Sequence, residues 1–468
     1  MKLLLVNPPT TLEVRYGKLS SIGTLYPPLG LAYIAAYAEK KGHEVKVIDC
    51  EAEGSGFEEI NKFALTFKPD LVGMPTYCTT LNKSYKVAEN LKKVLDVKIV
   101  LGGAEATLNP VKAISNKNID FVIYGEGEKT IAELLNSLKN KKNKNFSKIP
   151  GLVYREKGKI KTNKPMPLIK NLDELPMPAR HLFPMKKYHS SANLRGKRTL
   201  NIMTSRGCPY RCAYCAGSLI FGKSHRFYST KRVIEELKML KEKYHADSIQ
   251  FYDETFTVNR KRVIELCNRM IEEELNIEWS CFTRVNLIDE ELLKKMKEAG
   301  CYLIFYGLES GVQRLLNLIQ KDITLEQSEK AMKMTHEAGI ETWVSFMLDL
   351  PSETKEESEQ TIDFAIKVDP TFVQFPIATP YPGTKLYELA PKYGKLKDNW
   401  DDFNNWEEVV FISKGRTEEE IKETVKKAYR KFYLRPNYIL KKLASFSKLP
   451  LNKSLAMMKA GFLTIFTK

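Results

Sequence analysis

Long apolar runs are missing from this chain. Nowhere in its 468 residues do about 18 uncharged apolar residues follow one another, so no helix is expected to span a bilayer. No signal-peptide core is expected at the start of the sequence either: the run Leu3-Leu4-Leu5-Val6 stops at Asn7-Pro8-Pro9, far short of such a core, and reads as a first strand. Cysteine is scarce. Eight residues, unevenly placed, exclude a disulfide scaffold and point to a reducing compartment, the cytoplasm. Low-complexity tracts and internal repeats are absent, which excludes disordered, fibrous and solenoid classes. Acidic residues vanish from Thr424 to Lys468, where eleven Lys and Arg stand alone. That segment carries +11 of the formal +17 and leaves about +6 for the rest, so the charge belongs to the tail.

What is present fits more than one domain. From residue 1 to 138, short apolar runs (Leu3–Val6, Val45–Asp49, Asp70–Met74, Ile99–Leu101, Phe121–Tyr124) alternate with segments whose apolar residues recur at three and four. Five βα units predict an α/β, doubly wound parallel sheet of the Rossmann type, with ligands at the carboxyl ends of its strands. Those ends carry Pro8 and Pro9, then Thr76, Thr79 and Thr80, then Gly102 and Gly103, then Gly125, Glu126 and Gly127. Each glycine alone reads more simply as a tight strand-to-helix turn than as a ligand contact; four small-residue tips on one edge favour a ligand. Residues 139–197 form a connector with a hairpin at Gly151–Lys161. From 198 to 390 a second series follows, with strands at Leu200–Thr204, Ser248–Phe251, Glu278–Phe282, Tyr302–Gly307, Glu341–Met347 and Phe372–Thr379. Six units without eight predict an open, partial barrel, with its chemistry again at the strands' carboxyl ends. Residues 391–468 form a helical C-terminal extension.

The stretch Cys208-Pro-Tyr-Arg-Cys212-Ala-Tyr214-Cys215 directly follows the first strand of the second series. Three thiolates on one loop can hold a metal but supply only three ligands. Structural zinc wants four, and His225 lies ten residues on with no matching pair, whereas an iron–sulfur cluster can keep one iron open.

This CxxxCxxC loop, with an aromatic before its last cysteine, resembles the radical S-adenosylmethionine (SAM) superfamily. Further motifs fall in order at the strand ends. The resemblance implies that Asp253 and Glu254 in Tyr252-Asp-Glu meet the SAM amino nitrogen, that Arg284 pairs with its carboxylate, and that Glu309 in Gly307-Leu-Glu-Ser-Gly311 accepts from the ribose. Tyr214 joins them, and Tyr381-Pro-Gly-Thr384 closes the series. The first domain resembles the cobalamin-binding domain of the cobalamin-dependent branch, whose members include hopanoid methylases, archaeal lipid ring synthases and anaerobic magnesium-protoporphyrin ester cyclases. The Asp-x-His-x-x-Gly signature of many cobalamin domains is absent, so no imidazole is expected below the cobalt; His43 reads as a solvated turn residue.

The resemblance implies three cofactors: a [4Fe-4S] cluster on Cys208, Cys212 and Cys215, SAM, and cobalamin. It implies a radical that abstracts hydrogen from an unactivated carbon, C-methylation of a hydrophobic lipid or tetrapyrrole-like substrate, and a ferredoxin- or flavodoxin-type electron donor. The alternatives are a radical SAM cyclase or RNA-modifying enzyme, and a non-catalytic corrinoid carrier, which would have no use for the three cysteines. The tail interleaves its basic residues with Tyr429, Phe432, Tyr433, Tyr438 and Phe446, which reads either as a solvated helical cap or as an amphipathic contact with an anionic membrane; no nucleic-acid fold pattern accompanies it. Cys50, Cys78, Cys267, Cys281 and Cys301 read as core residues, and His336 as a surface residue.

Overall fold

The computed structural model describes residues 1–17, 20, 23–140, 145–191, 194–397, 399–403 and 408–446. Strands β1 (Lys2–Asn7), β2 (Glu44–Asp49), β3 (Leu71–Pro75), β4 (Lys98–Gly102) and β5 (Phe121–Ile123) pair in parallel in the order β2-β1-β3-β4-β5. Successive residues of β1 enter opposite cores: Leu3 and Leu5 pack with Ala32 and Ala35 of the helix Leu29–Lys40, whereas Leu4 and Val6 pack with Ile60 and Leu91 across the sheet. A strand buried on both faces must be apolar throughout, which is why these runs do not alternate with polar residues. The strand order reverses beside β1, so the crevice of this sheet opens at Pro8–Pro9 and Thr76.

The sheet is mixed, not purely parallel. The hairpin of the connector, β6 (Leu152–Glu156) and β7 (Lys159–Thr162), joins it antiparallel, with Phe121 opposite Tyr154. This covers the edge that β5 would otherwise expose. The connector is also pinned to the second domain, since buried Arg180 donates to the Asn201 carbonyl at 2.6 Å and pairs with Glu236 at 3.0 Å. His43 is in a turn, as expected, but it is buried and neither ring nitrogen has a hydrogen-bond partner; burial lowers its pKa.

The second sheet contains β8 (Thr199–Ile202), β11 (Ser248–Phe251), β12 (Glu278–Thr283), β13 (Cys301–Glu309), β14 (Glu341–Phe346) and β15 (Phe372–Gln374), while β9 (Ser205–Arg206) and β10 (Arg226–Phe227) form a short ribbon between them in sequence. The six pair in parallel, β15-β14-β13-β12-β11-β8, an open barrel with helices outside.

The tail closes the β15 edge. The hydroxyl of Tyr429 accepts from Phe375 N–H, that of Tyr433 bonds both backbone groups of Val373, and that of Tyr438 donates to Thr371 O. Its cations are matched by barrel acids: Lys427 and Lys431 by Glu359, Lys431 also by Asp363, and Arg435 and Lys441 by Asp369. Tyr429, Phe432, Tyr433 and Tyr438 therefore pack on the barrel as its cap; the Phe446 side chain and residues 447–468 lie outside the described residues. Among the described residues no helix is long and apolar enough to cross a membrane.

Candidate functional site

The cysteine loop is held by its backbone. Gly207 has φ +89° and a Cβ there would meet the Ser224 carbonyl oxygen at 2.3 Å, so only glycine fits. Cys208 N–H donates to Gly222 O, Ala213 N–H to Ile319 O, and Cys215 N–H turns back onto Cys212 O. The three thiols are unpaired and line one cavity of about 250 Å³ at the carboxyl ends of the barrel strands. Cys208 Sγ lies 3.6 Å from Thr255 Oγ1, Gly217 N–H donates to Cys215 Sγ at 3.4 Å, and Arg284 Nη1 donates to Cys212 Sγ at 3.3 Å. The Arg284 guanidinium also lies over the Tyr210 ring, 3.8 Å from its centroid, and donates to the Lys321 carbonyl.

Glu309 sits at the end of β13 with φ +68°. It accepts from the Tyr214 hydroxyl at 2.8 Å and from Lys321 Nζ at 2.9 Å, and Lys321 reaches the Tyr214 hydroxyl at 2.9 Å as well. Burial, then the Glu309 carboxylate, raises the Tyr214 pKa far above its ordinary value, so this hydroxyl is a donor. Lys321, which the motif reading passed over, is 5% exposed and lies twelve residues after Glu309 in Gln-Lys-Asp-Ile-Thr. A lysine that deep needs a carboxylate, and Glu309 is it.

Asp253 and Glu254 separate. Asp253 accepts from Thr204 N–H and Oγ1 at 2.6 Å and from Ser205 Oγ at 2.7 Å, and it does not line the cavity. It ties the end of β8 to β11. Neighbouring residues of an extended segment face opposite sides, so Glu254 turns into the cavity instead. Glu254 Oε2 is buried without a partner, and burial raises its pKa to about 7. A buried carboxyl lacking a cation is a natural seat for an incoming ammonium group.

At the first domain's edge several expected ligand residues serve the protein itself. Thr76 Oγ1 donates to Gly102 O and accepts from Ala106 N–H, and Thr80 Oγ1 accepts from Tyr77 N–H. Gly103 has φ +92° and a Cβ there would press on the Thr76 backbone at 3.0 Å. Gly127 leaves room for Ile34. Glu126 does not face the edge at all: its carboxylate takes Arg206 Nη1 at 3.0 Å, Arg226 Nη1 at 2.9 Å and Ile169 N–H at 2.8 Å. Its place on a buried ion pair between the domains replaces the expected cofactor contact. Pro8 is buried; Pro9, Thr79, Gly102, Gly103, Gly125 and Gly127 are the tip positions that still reach the surface of the edge.

Three thiols free of disulfides, facing one cavity with an unpaired carboxyl, fit a cluster that leaves one iron open to an amino acid ligand. Comparison with known proteins agrees. Residues 202–365 match the radical SAM superfamily and residues 18–135 the B12 binding domain. An uncharacterized methyltransferase of Pyrococcus horikoshii is 41% identical over 444 residues, 94% of each chain. Anaerobic magnesium-protoporphyrin IX monomethyl ester cyclase of Rubrivivax gelatinosus is 27% identical, with 88% of this chain and 75% of that protein covered. The radical SAM methyltransferase TsrM of Kitasatospora setae, solved with cobalamin and a [4Fe-4S] cluster bound, shares the fold with a TM-score of 0.68 at 19% identity, covering 84% of this chain and 75% of that one. The cofactors of this chain are SAM with a [4Fe-4S] cluster in the barrel and cobalamin in the first domain. The chain thus belongs to the cobalamin-dependent radical SAM enzymes, in their methyltransferase branch.

Proposed function

We propose that the protein methylates an unactivated carbon of a hydrophobic substrate in the cytoplasm, fed by a low-potential donor of ferredoxin or flavodoxin type. The observation that carries this reading is the convergence of Cys208, Cys212, Cys215, Glu254, Arg284, Glu309 and Lys321 on one cavity. When bound, the cluster supplies the electron that cleaves SAM, and cobalamin supplies a transferable methyl group. The three cysteines would hold the cluster. Glu254 would take the SAM ammonium, Arg284 its carboxylate, and Glu309 the ribose hydroxyls, with Tyr214 and Lys321 fixing the Glu309 carboxylate. Pro9, Thr79, Gly102, Gly103 and Gly125 would meet the corrin. On the tail, Leu434, Ile439 and Leu440 are exposed and are the described part that would touch an anionic lipid surface.

The cavity's apolar lining, with Phe282, Phe305 and Trp343, supports a hydrophobic substrate. A ring-forming reaction is the second reading, favoured by the likeness to the cyclase. Anaerobic reconstitution tests both. About four irons per chain are expected, absent from the triple Cys→Ala variant, with the corrinoid spectrum retained in that variant. Methyl-labelled SAM should pass label into an extract of the source membranes. Zinc in place of iron, or no SAM cleavage under dithionite, would sink the proposal; SAM cleavage with an unlabelled ring product would decide for cyclisation.

A further inference from the structure

The cavity has two chemically different ends. All its charged side chains, Glu254, Arg284, Glu309 and Lys321, stand around the cysteine loop. Toward β14 and β15 the lining is uncharged. There the inner face of the barrel carries a continuous row of rings: Phe282 is opposite Phe305 in register, Phe305 opposite Trp343, and Trp343 opposite Phe372. Their centroids are 4.5, 5.2 and 5.4 Å apart, with Phe282–Phe305 and Phe305–Trp343 inclined by only 27° and 23°. Neighbouring inward positions toward the carboxyl ends hold smaller or polar residues, Gly307 opposite Ser345 and Ser345 opposite Gln374. Small side chains above large flat ones leave a space whose floor is aromatic.

Two polar groups border that space. The Ser345 hydroxyl and the Gln374 amide line the cavity and, among the described residues, have no hydrogen-bond partner. They constrain what the floor can receive. A saturated hydrocarbon would pack on the rings but would shut these groups away from water unpaired, which opposes binding. A charged group would find no counterion at this end. A flat, uncharged ring satisfies all three features: its face stacks on the floor, and its edge offers hydrogen-bonding atoms to the amide and hydroxyl. The whole cavity measures about 250 Å³ and is shared with the cysteine end, so the aromatic end takes an edge of a larger molecule and not a whole macrocycle.

Resting on the reading of this cavity as the methylation site, we propose that the substrate presents an uncharged planar π ring with a hydrogen-bonding edge, seated on Phe282, Phe305 and Trp343 and read by Ser345 and Gln374. The ring places the attacked carbon beside the charged end, where SAM is expected.

The test uses the anaerobically reconstituted enzyme with SAM present and follows binding by ligand-observed NMR. Quinolin-2-one is the probe, and its fully saturated bicyclic lactam, with the same amide but no π face, is the comparator. The planar probe should bind at least about tenfold more tightly. Gln374→Leu should weaken it about tenfold, the size of one hydrogen bond whose partner is left buried. Trp343→Phe keeps a ring and should retain most of the affinity, whereas Trp343→Leu should not. Equal binding of the saturated lactam overturns the proposal, as does displacement of the probe by SAM, which would assign the floor to SAM itself. SAM cleavage to 5′-deoxyadenosine by the wild type is measured alongside. If cleavage occurs and quinolin-2-one does not bind, the ring proposal fails alone; if no cleavage occurs, the catalytic reading fails with it.

Discussion

Two buried carboxylates near the cysteine loop are treated in opposite ways. At the seam between the domains, Glu126 is enclosed by Arg206, Arg226 and the Ile169 amide, and Glu128 takes Arg206 Nη2 at 2.6 Å. Burial alone would raise the Glu126 pKa; the Arg226 hydrogen bond and the Arg206 charge overcome it and leave the carboxyl below its ordinary range. At the cavity, Glu254 is also buried, yet the same two arginines act on it only at a distance, and its pKa climbs to about 7. A buried acid whose charge is fully matched is holding the protein together, while one whose charge is unmatched is waiting for something the chain does not contain. The seam also serves the cavity. Arg206 precedes Cys208 by two residues and Glu126 follows β5 of the first sheet, so the pair sets how the cysteine loop lies against the cobalamin domain.

The strongest way to break this contrast is Arg206→Met. It strands Glu128 without its cation and removes one of two from Glu126, both almost fully buried. Breaking one partner of such a pair costs about 3–5 kcal/mol, because the remaining charge stays desolvated. Denaturant unfolding should show that loss. A cost near zero would mean that water or a neighbour replaces the arginine, and the seam would no longer be the strut between domains.

Glu254→Gln examines the other side. No cation is lost, so unfolding stability should stay within about 0.5 kcal/mol or rise. Affinity for SAM should fall about tenfold, since a charge-assisted hydrogen bond to the ammonium becomes a neutral one. Isothermal titration of the reconstituted enzyme measures it. Unchanged SAM affinity with a less stable fold would reverse the assignment and make Glu254 the structural acid.

Much of this arrangement could be read from the chain, and what escaped shares one cause. The strands of both sheets announce themselves as short apolar runs, and the cysteine loop by spacing within eight residues; these are local signals. The division of labour between Asp253 and Glu254 depends on which face of the barrel each meets, and two adjacent acids do not disclose it. Glu126 looked like a ligand residue because it lies between two glycines at a strand tip, but its arginines come 80 and 100 residues later. Lys321 carries no motif of its own and becomes meaningful only beside Glu309. The aromatic tail looked like a membrane face because its true partners, the open backbone groups of Val373 and Phe375, are 60 and 54 residues away. A cut after residue 423, which would isolate the basic segment, would therefore also remove buried Tyr429 and Phe432 from the barrel's edge.

A further buried acid sharpens the comparison by separating burial from function. Glu353 follows β14, lies outside the cysteine cavity, and accepts from Leu350 N–H and Ser358 Oγ, both at 2.7 Å. With no cation bonded to it, burial raises its pKa from 4.5 to about 8, above even Glu254. An elevated pKa by itself thus marks only a missing cation; the orphaned Oε2 of Glu254 and its place among the thiols give that residue its meaning. The sign of the consequence for stability is fixed. Between pH 4.5 and about 8 the folded protein keeps a proton on Glu353 that the unfolded chain has released, so stability falls as pH rises through that window and levels off above it. The slope from one such group is at most about 1.4 kcal/mol per pH unit, and Asp349 and Glu105, raised by burial to about 6 and about 7, add to it over narrower windows. Glu353→Gln keeps the shape, and its amide can still accept from Leu350 N–H and donate to the Ser358 oxygen. Urea midpoints measured from pH 5 to 8 should therefore fall less steeply in this variant than in the wild type, by about one proton's worth, with SAM affinity unchanged. A parallel pair of pH profiles would mean that Glu353 titrates normally, and burial without a cation would then be too weak a force in this fold to account for Glu254 either.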